Sequence, residues 1–186
     1  TQCKNIENNI TLTRETEKQK TQYTMTQKTI AVVYSSKYGT TKAICETIKE
    51  HSDNNTTFDL FCLDKGEQPD LNHYNHIIIG TSVYAGHPRA KVVAFCQSNI
   101  EAIKKLRLSL FVCGMDKANA KKEMETAYPS ELRDPAVQLK FFEGEFKLED
   151  MKFFDKMILK LMLKVKQSVR RDYNDEVADF VSKTLM

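Results

Sequence analysis

Residues 29–41 read Thr-Ile-Ala-Val-Val-Tyr-Ser-Ser-Lys-Tyr-Gly-Thr-Thr. Residues 30–34 are an unbroken apolar run rich in β-branched side chains, the pattern of a strand covered on both faces. From Thr41 to His51 the apolar residues Ala43, Ile44 and Ile48 fall at helical spacing instead. The stretch 35–40 is therefore a loop between a buried strand and a helix. Its backbone N–H groups meet the positive end of the helix dipole, where four donors lack partners, and Ser35, Ser36, Thr40 and Thr41 add hydroxyls. Gly39 lets the backbone approach a ligand closely. This is how a chain builds a phosphate site; the plainer alternative is a turn whose hydroxyls only cap the helix. The loop lacks both the Gly-Lys-Ser/Thr of a mononucleotide P-loop and the three-glycine dinucleotide fingerprint.

Residues 74–80, Tyr-Asn-His-Ile-Ile-Ile-Gly, predict another buried strand, which runs into Thr81-Ser82-Val83-Tyr84-Ala85-Gly86-His87-Pro88 before a helix over 89–106. In an open parallel sheet both polar loops emerge at the carboxyl edge, where ligands sit at a topological switch point. Tyr84 then sets an aromatic face beside the first loop's anion, as a flat ring attached to a phosphate requires.

The remaining elements alternate: strand 57–63, a polar stretch 64–72, strand 109–114, helix 117–128, strand 138–146 and a closing helix 175–185. Strands separated by helices indicate right-handed βαβ units, hence an α/β fold with a doubly wound parallel sheet of five strands. The expected strand order is 2-1-3-4-5, with the loops after strands one and three flanking the switch point.

The motifs Ser-Ser-Lys-Tyr-Gly-Thr-Thr and Ile-Gly-Thr-Ser-Val-Tyr-Ala-Gly-His resemble the flavodoxin-like family. The late segment Phe153-Phe154-Asp155-Lys156-Met157-Ile158-Leu159-Lys160-Leu161-Met162 resembles the branch of menaquinone-dependent protoporphyrinogen dehydrogenases. The likeness spans residues 27–186 and departs from that branch after Val165, where Lys166-Gln167-Ser168-Val169-Arg170-Arg171 replaces a longer Gly/Thr-rich connection. The resemblance implies FMN as cofactor. It assigns the phosphate to Ser35, Ser36, Lys37, Tyr38, Gly39, Thr40 and Thr41. The isoalloxazine falls between Thr81, Ser82, Val83, Tyr84, Ala85 and Gly86 on one side and Cys113, Gly114 and Met115 on the other. It further implies an oxidoreductase that oxidises a porphyrinogen and passes electrons to a quinone. A noncatalytic flavodoxin serving a redox partner protein is the alternative, and a flavin-free interaction protein a third.

His87 either exchanges a proton at the ring edge or merely opens a helix with Pro88 at its first position, and the second reading is preferred because no tuning partner is visible. Cys113 is likewise read as core filler.

At 186 residues and 41% hydrophobic composition the chain suits one folded domain, 27–186, behind a polar, disordered leader over 1–26. Glu7, Glu15 and Glu17 argue against a transit peptide, and no apolar run is long enough to span a bilayer. The five cysteines carry no metal spacing and read as reduced thiols of a cytosolic protein. Net charge is +3, with Lys37, Arg89, Lys117, Lys121 and Lys122 near the expected active edge, where positive charge favours an anionic reduced flavin over a low-potential shuttle.

Residues 151–166 form an amphipathic helix with Phe154, Ile158, Leu161, Met162 and Val165 on one face and Lys152, Lys156, Lys160 and Lys164 in a stripe. Phe153, Leu159 and Leu163 lie among the lysines. With Arg170 and Arg171, this suits peripheral contact of segment 151–171 with an anionic membrane, against the plain reading of a solvated helix. No stacking platform for nucleic acid accompanies the charge.

Overall fold

The computed structural model describes residues 28–145 and 171–186. The leader expected over 1–26, the end of the fifth strand at Phe146 and the basic helix over 151–166 lie outside the described residues.

Five parallel strands make the sheet: β1 (Lys28–Tyr34), β2 (Thr56–Cys62), β3 (His76–Tyr84), β5 (Arg107–Gly114) and β6 (Gln138–Glu143). They stand in the order β2-β1-β3-β5-β6, which is the expected 2-1-3-4-5 once the two-residue β4 (His87–Pro88) is set aside. Among the described residues five helices connect or close them: α1 (Thr40–Glu50), α2 (Ala90–Ile103), α3 (Ala120–Ala127), α4 (Ser130–Arg133) and α5 (Asn174–Leu185).

Alternation along each strand divides the core in two. Ile30, Val32, Tyr34, Ile78, Phe111 and Phe142 face α1 and α5, packing on Ile44, Ile48, Val177 and Phe180. Ala31, Val33, Ile77, Ile79, Leu110 and Val112 face the opposite way, onto Val92, Phe95 and Ile103 of α2 and Leu132 of α4. Because side chains along a strand point alternately to opposite faces, a continuous apolar run serves both layers, which is why 30–34 is legible as a covered strand. Gly80 is required by close packing: a Cβ there would overlap the Phe111 ring, which makes edge contacts with Phe142 and Phe180 at 5.6 and 5.9 Å between centroids.

Several boundaries differ from expectation. Residues 81–84 are not loop: Thr81 and Ser82 pair with Val112 and Cys113, and Val83 and Tyr84 pair with Pro88 and His87 across a two-residue turn. Ala85 and Gly86 make that turn with φ of 51° and 80°, the left-handed pair that a tight hairpin needs. His87–Pro88 is therefore a short strand and not the start of a helix; α2 begins at Ala90 and ends at Ile103. The helix expected over 117–128 opens with a 3-10 turn, Lys117–Asn119, and α4 has no counterpart in the sequence reading because one helical turn shows no period.

His76, at the opposite edge of the sheet from the two loops, is 7% exposed, and its Nε2 lies 3.3 Å from Ser109 Oγ. Burial, then the positive charges of Arg107 and Lys28, lower its pKa from 6.5 to about 4. Folding thus favours the neutral ring, so its contribution to stability is complete above pH 6.5 and is lost as pH falls toward 4. The loss between pH 7 and 4.5 should be about 2–3 kcal/mol, and His76→Gln should flatten that part of the profile. Urea unfolding of both proteins at the two pH values checks this; equal slopes would show that His76 titrates normally.

Candidate functional site

The carboxyl edge of β1, β3 and β5 surrounds a cavity of about 440 Å³, counting its open mouth. β1 leads through α1 to β2 on one side, whereas β3 leads through α2 to β5 on the other, so the cavity sits at the switch point. Its walls include Ser36, Lys37, Tyr38, Thr40 and Thr41 from the first loop and helix, Ser82, Val83 and Tyr84 from β3, and Cys113, Gly114 and Met115 from β5 and the turn beyond it. Ser35, Gly39, Thr81, Ala85 and Gly86 are not among the wall residues, and neither is His87, which lies exposed on β4. Gly144 and Glu145, which the sequence reading missed, complete the wall.

The hydroxyls of the first loop divide their work. The Ser35 hydroxyl donates to the Asp64 carboxylate, at 3.0 and 2.9 Å from its two oxygens, and Ser36 N–H donates to Asp64 Oδ2 at 2.8 Å. Arg89 closes the cluster, its Nε donating to Ser35 Oγ at 3.2 Å and its Nη2 to Asp64 Oδ1 at 3.3 Å. Burial would raise the Asp64 pKa, but the Ser36 N–H, the Ser35 hydroxyl and Arg89 outweigh it and hold the carboxyl below the ordinary range. Lys91 Nζ adds bonds to the carbonyls of Leu63 and Asp64 at 3.1 and 3.0 Å. Ser36 Oγ accepts from Gly39 N–H at 3.1 Å and Lys42 N–H at 3.4 Å, and so caps α1. The Thr40 hydroxyl donates to the Glu145 carbonyl at 2.9 Å, which fixes the end of β6 to the start of α1. Ser35 and Thr40 are therefore framework and not free donors.

Two serine and threonine hydroxyls of the wall remain. Thr41 Oγ1 and Ser82 Oγ are buried; Ser82 Oγ has no hydrogen-bond partner among the described residues, and the Thr41 hydroxyl meets there only the Cys113 thiol, a weak partner. A buried hydroxyl without a partner costs free energy unless a ligand supplies one, so the wall fits a polar group. Above it Lys37 Nζ stands 3.6 Å from the Tyr84 ring centroid and 4.9 Å from that of Tyr38, and the two tyrosines meet edge on at 5.9 Å. Burial pushes the Cys113 thiol up to about 12, so it is neutral and inert at physiological pH, in keeping with filler.

The charge at this edge is mixed. Arg89 is paired with Asp64, and Lys117 Nζ lies 3.9 Å from Glu143 Oε2. Arg171 Nη1 also reaches Glu143 Oε2 at 3.2 Å, and its backbone N–H donates to Glu145 Oε2 at the same distance. Of the five cations counted from sequence, Arg89 and Lys117 are engaged by Asp64 and Glu143, acids that the sequence reading did not place here.

A short-chain flavodoxin associated with a PDU bacterial microcompartment superposes with a TM-score of 0.52 at 11% identity, over 86% of this chain and 97% of that one. A Fusobacterium nucleatum flavodoxin bound to flavin mononucleotide gives 0.46 at 16% identity, over 85% and 93%. The flavodiiron protein of Giardia intestinalis gives 0.50 at 15% identity, over 86% of this chain and 36% of that one. The chain spans only 36–40% of the length of the flavodiiron-type structures it matches. No curated protein sequence is significantly similar to the chain. The profile of the flavodoxin domain matches residues 31–172, well over half of the chain, and the chain belongs to that family.

Proposed function

We propose that the chain holds FMN at this edge and uses it to move electrons. The observation that carries the reading is the pair of buried hydroxyls in a cavity bounded by the start of α1: Ser82 Oγ has no partner among the described residues, and Thr41 Oγ1 meets only the weakly bonding Cys113 thiol there. Membership of the flavodoxin domain family supports the cofactor. The phosphate is taken by the backbone donors of 37–41 with the Thr41 hydroxyl, where the helix dipole favours an anion. The ring lies toward Ser82, Tyr84, Gly114 and Met115, with Tyr84 offering an aromatic face. When bound, FMN supplies the redox chemistry, and the chain supplies position and charge.

In the finer reading the protein oxidises a small organic donor of the porphyrinogen class and delivers electrons to a quinone. Its support is the sequence resemblance and the net charge of +3. Contact with an anionic membrane rests on the lysine and apolar pattern of 151–171, of which only Arg171 is among the described residues. Among those residues no helix is long and apolar enough to cross a membrane. A second reading, an electron-transfer protein serving a protein partner, is favoured by Glu145 on the cavity wall, since a nearby acid disfavours added negative charge on the cofactor. Anaerobic turnover with a quinone acceptor and porphyrinogen as donor separates the two: sustained turnover is expected of the enzyme, and none of the carrier.

Cofactor released from the protein should be FMN, one per chain; recovery of FAD would sink the assignment. Thr41→Val keeps the β-branched shape and removes the hydroxyl, and should weaken FMN by about 1–3 kcal/mol, read by quenching of flavin fluorescence. An unchanged affinity would place the phosphate elsewhere.

The Asp64 cluster makes a separate expectation. Asp64→Ala strands the Ser36 N–H and Arg89 and should cost about 1–3 kcal/mol of stability as well as weakening FMN, while Asp64→Asn, which still accepts from Ser36, should recover much of both. Because the Asp64 pKa is lowered, the wild-type clamp is complete above pH 3.8 and is lost only below it. Urea unfolding beside FMN titration tests this, and an Asp64→Ala protein with wild-type affinity would show that the cluster does not shape the site.

A further inference from the structure

Glu123, on α3, carries a carboxyl oxygen that the rest of the site does not use. Its Oε2 is buried, with no hydrogen-bond partner among the described residues. A Cβ on Gly114 would fall on that oxygen and against the Phe141 ring, so the glycine is what makes room for the carboxyl. Gly114 and Met115 are cavity wall. One residue of backbone therefore separates the carboxyl from the space assigned to the cofactor. Burial first, and the charge of Asp116 second, raise the Glu123 pKa from 4.5 to about 7.

The charged groups of the elements packed on α3 are committed elsewhere or point to the same outcome. Lys117, in the 3-10 turn, lies 3.9 Å from Glu143 of β6, and Lys140 of β6 lies 4.0 Å from Glu176. Asp116 accepts from Ala118 N–H and adds negative charge. His87 on β4 is exposed, as are Lys121 and Lys122 on α3 itself. Cys113 on β5 is a neutral thiol; Arg107 and His76 stand at the far ends of β5 and β3. Tyr84, at the near end of β3, faces Lys37. Among the described residues no cation pairs with Glu123.

We propose that Glu123 is a proton-exchanging positioning residue of the cofactor cavity, which gives up its charge when an anionic cofactor occupies the space beyond Gly114. The proposal rests on the FMN reading above. A carboxylate and an anion brought together in a partly buried site repel, and the carboxylate relieves this by taking a proton from solvent: carboxylate, proton and FMN become carboxylic acid and bound FMN. No electrons move in this step. The affinity is highest where Glu123 is already neutral, and falls as pH rises through about 7.

The test is calorimetric titration of FMN into the full, cofactor-stripped chain and its Glu123→Gln variant, in buffers of different ionisation enthalpy. FMN's own phosphate titrates near pH 6, and the difference between the two proteins cancels it. At pH 7 the wild type should take up a larger fraction of a proton than the variant. At pH 8 the variant should bind about fivefold more tightly if occupancy moves the carboxyl up by one unit, and at pH 6 the two should converge. Binding with equal proton uptake and parallel pH profiles overturns the role of Glu123 and leaves the FMN assignment standing; no binding by the wild type overturns both. Should Glu123→Gln fail to fold, carbon-13 NMR of the wild-type glutamate carboxyls decides. A resonance titrating near 7 that moves upward with FMN supports the proposal, and its absence overturns it.

Discussion

The carboxylate of Asp64 is the point from which the site takes its shape. It receives the Ser35 hydroxyl, the Ser36 N–H and Arg89, so the ends of β1 and β2 and the entry to α2 meet on one anion. Without it, the first turn of the loop would be a flexible peptide between a strand and a helix. With it, Ser36 is fixed, and its hydroxyl accepts from the Gly39 and Lys42 N–H groups at the start of α1, beside the cavity. Part of the loop's donor capacity is committed to holding the loop, and part is left for a ligand. An isolated pair of this exposure would contribute little; here the charge-assisted bonds share one acceptor, and breaking one strands the others.

The architecture was legible where one physical demand dominated each residue. Strands β1 and β3 need apolar side chains on both faces, and their continuous runs announce it. Residues 81–84 met two demands at once. Thr81 and Ser82 are paired strand residues, yet one of them also turns a hydroxyl toward the cavity, so the polar character that suggested a loop belongs to the site and not to the backbone. The dipeptide Ala85-Gly86 held the one local signal for the hairpin, an X-Gly turn, and Pro88 masked it by suggesting a helix start.

The cavity's composition was readable in the strand-to-helix loop because hydroxyls, glycine and helix period coincide there. Its support was not. Asp64 lies in a stretch that reads as solvated polar chain, and Arg89 reads as a first helical residue; only the parallel register that sets β1 beside both β2 and β3 brings them within bonding distance. Glu145 and Gly144 enter the wall through a bond to Thr40, 105 residues away in the chain, a separation no local pattern reports. The wall was foreseeable where neighbours in sequence made it, and hidden where topology did.

Charge is where sequence counting misleads most. Five cations near one edge suggest a field that stabilises negative charge, but a field depends on what each charge faces. Arg89 is neutralised by the anion it holds in place, and Lys117 and Arg171 converge on Glu143. Lys37 lies over the Tyr84 ring. Glu123 is different, because burial leaves its charge to be set by pH and by whatever enters the cavity. The potential at the wall is therefore not a fixed property of the fold: Arg89 and Lys117 are held in ion pairs, and a carboxyl poised near 7 behind a single glycine becomes the term that can change.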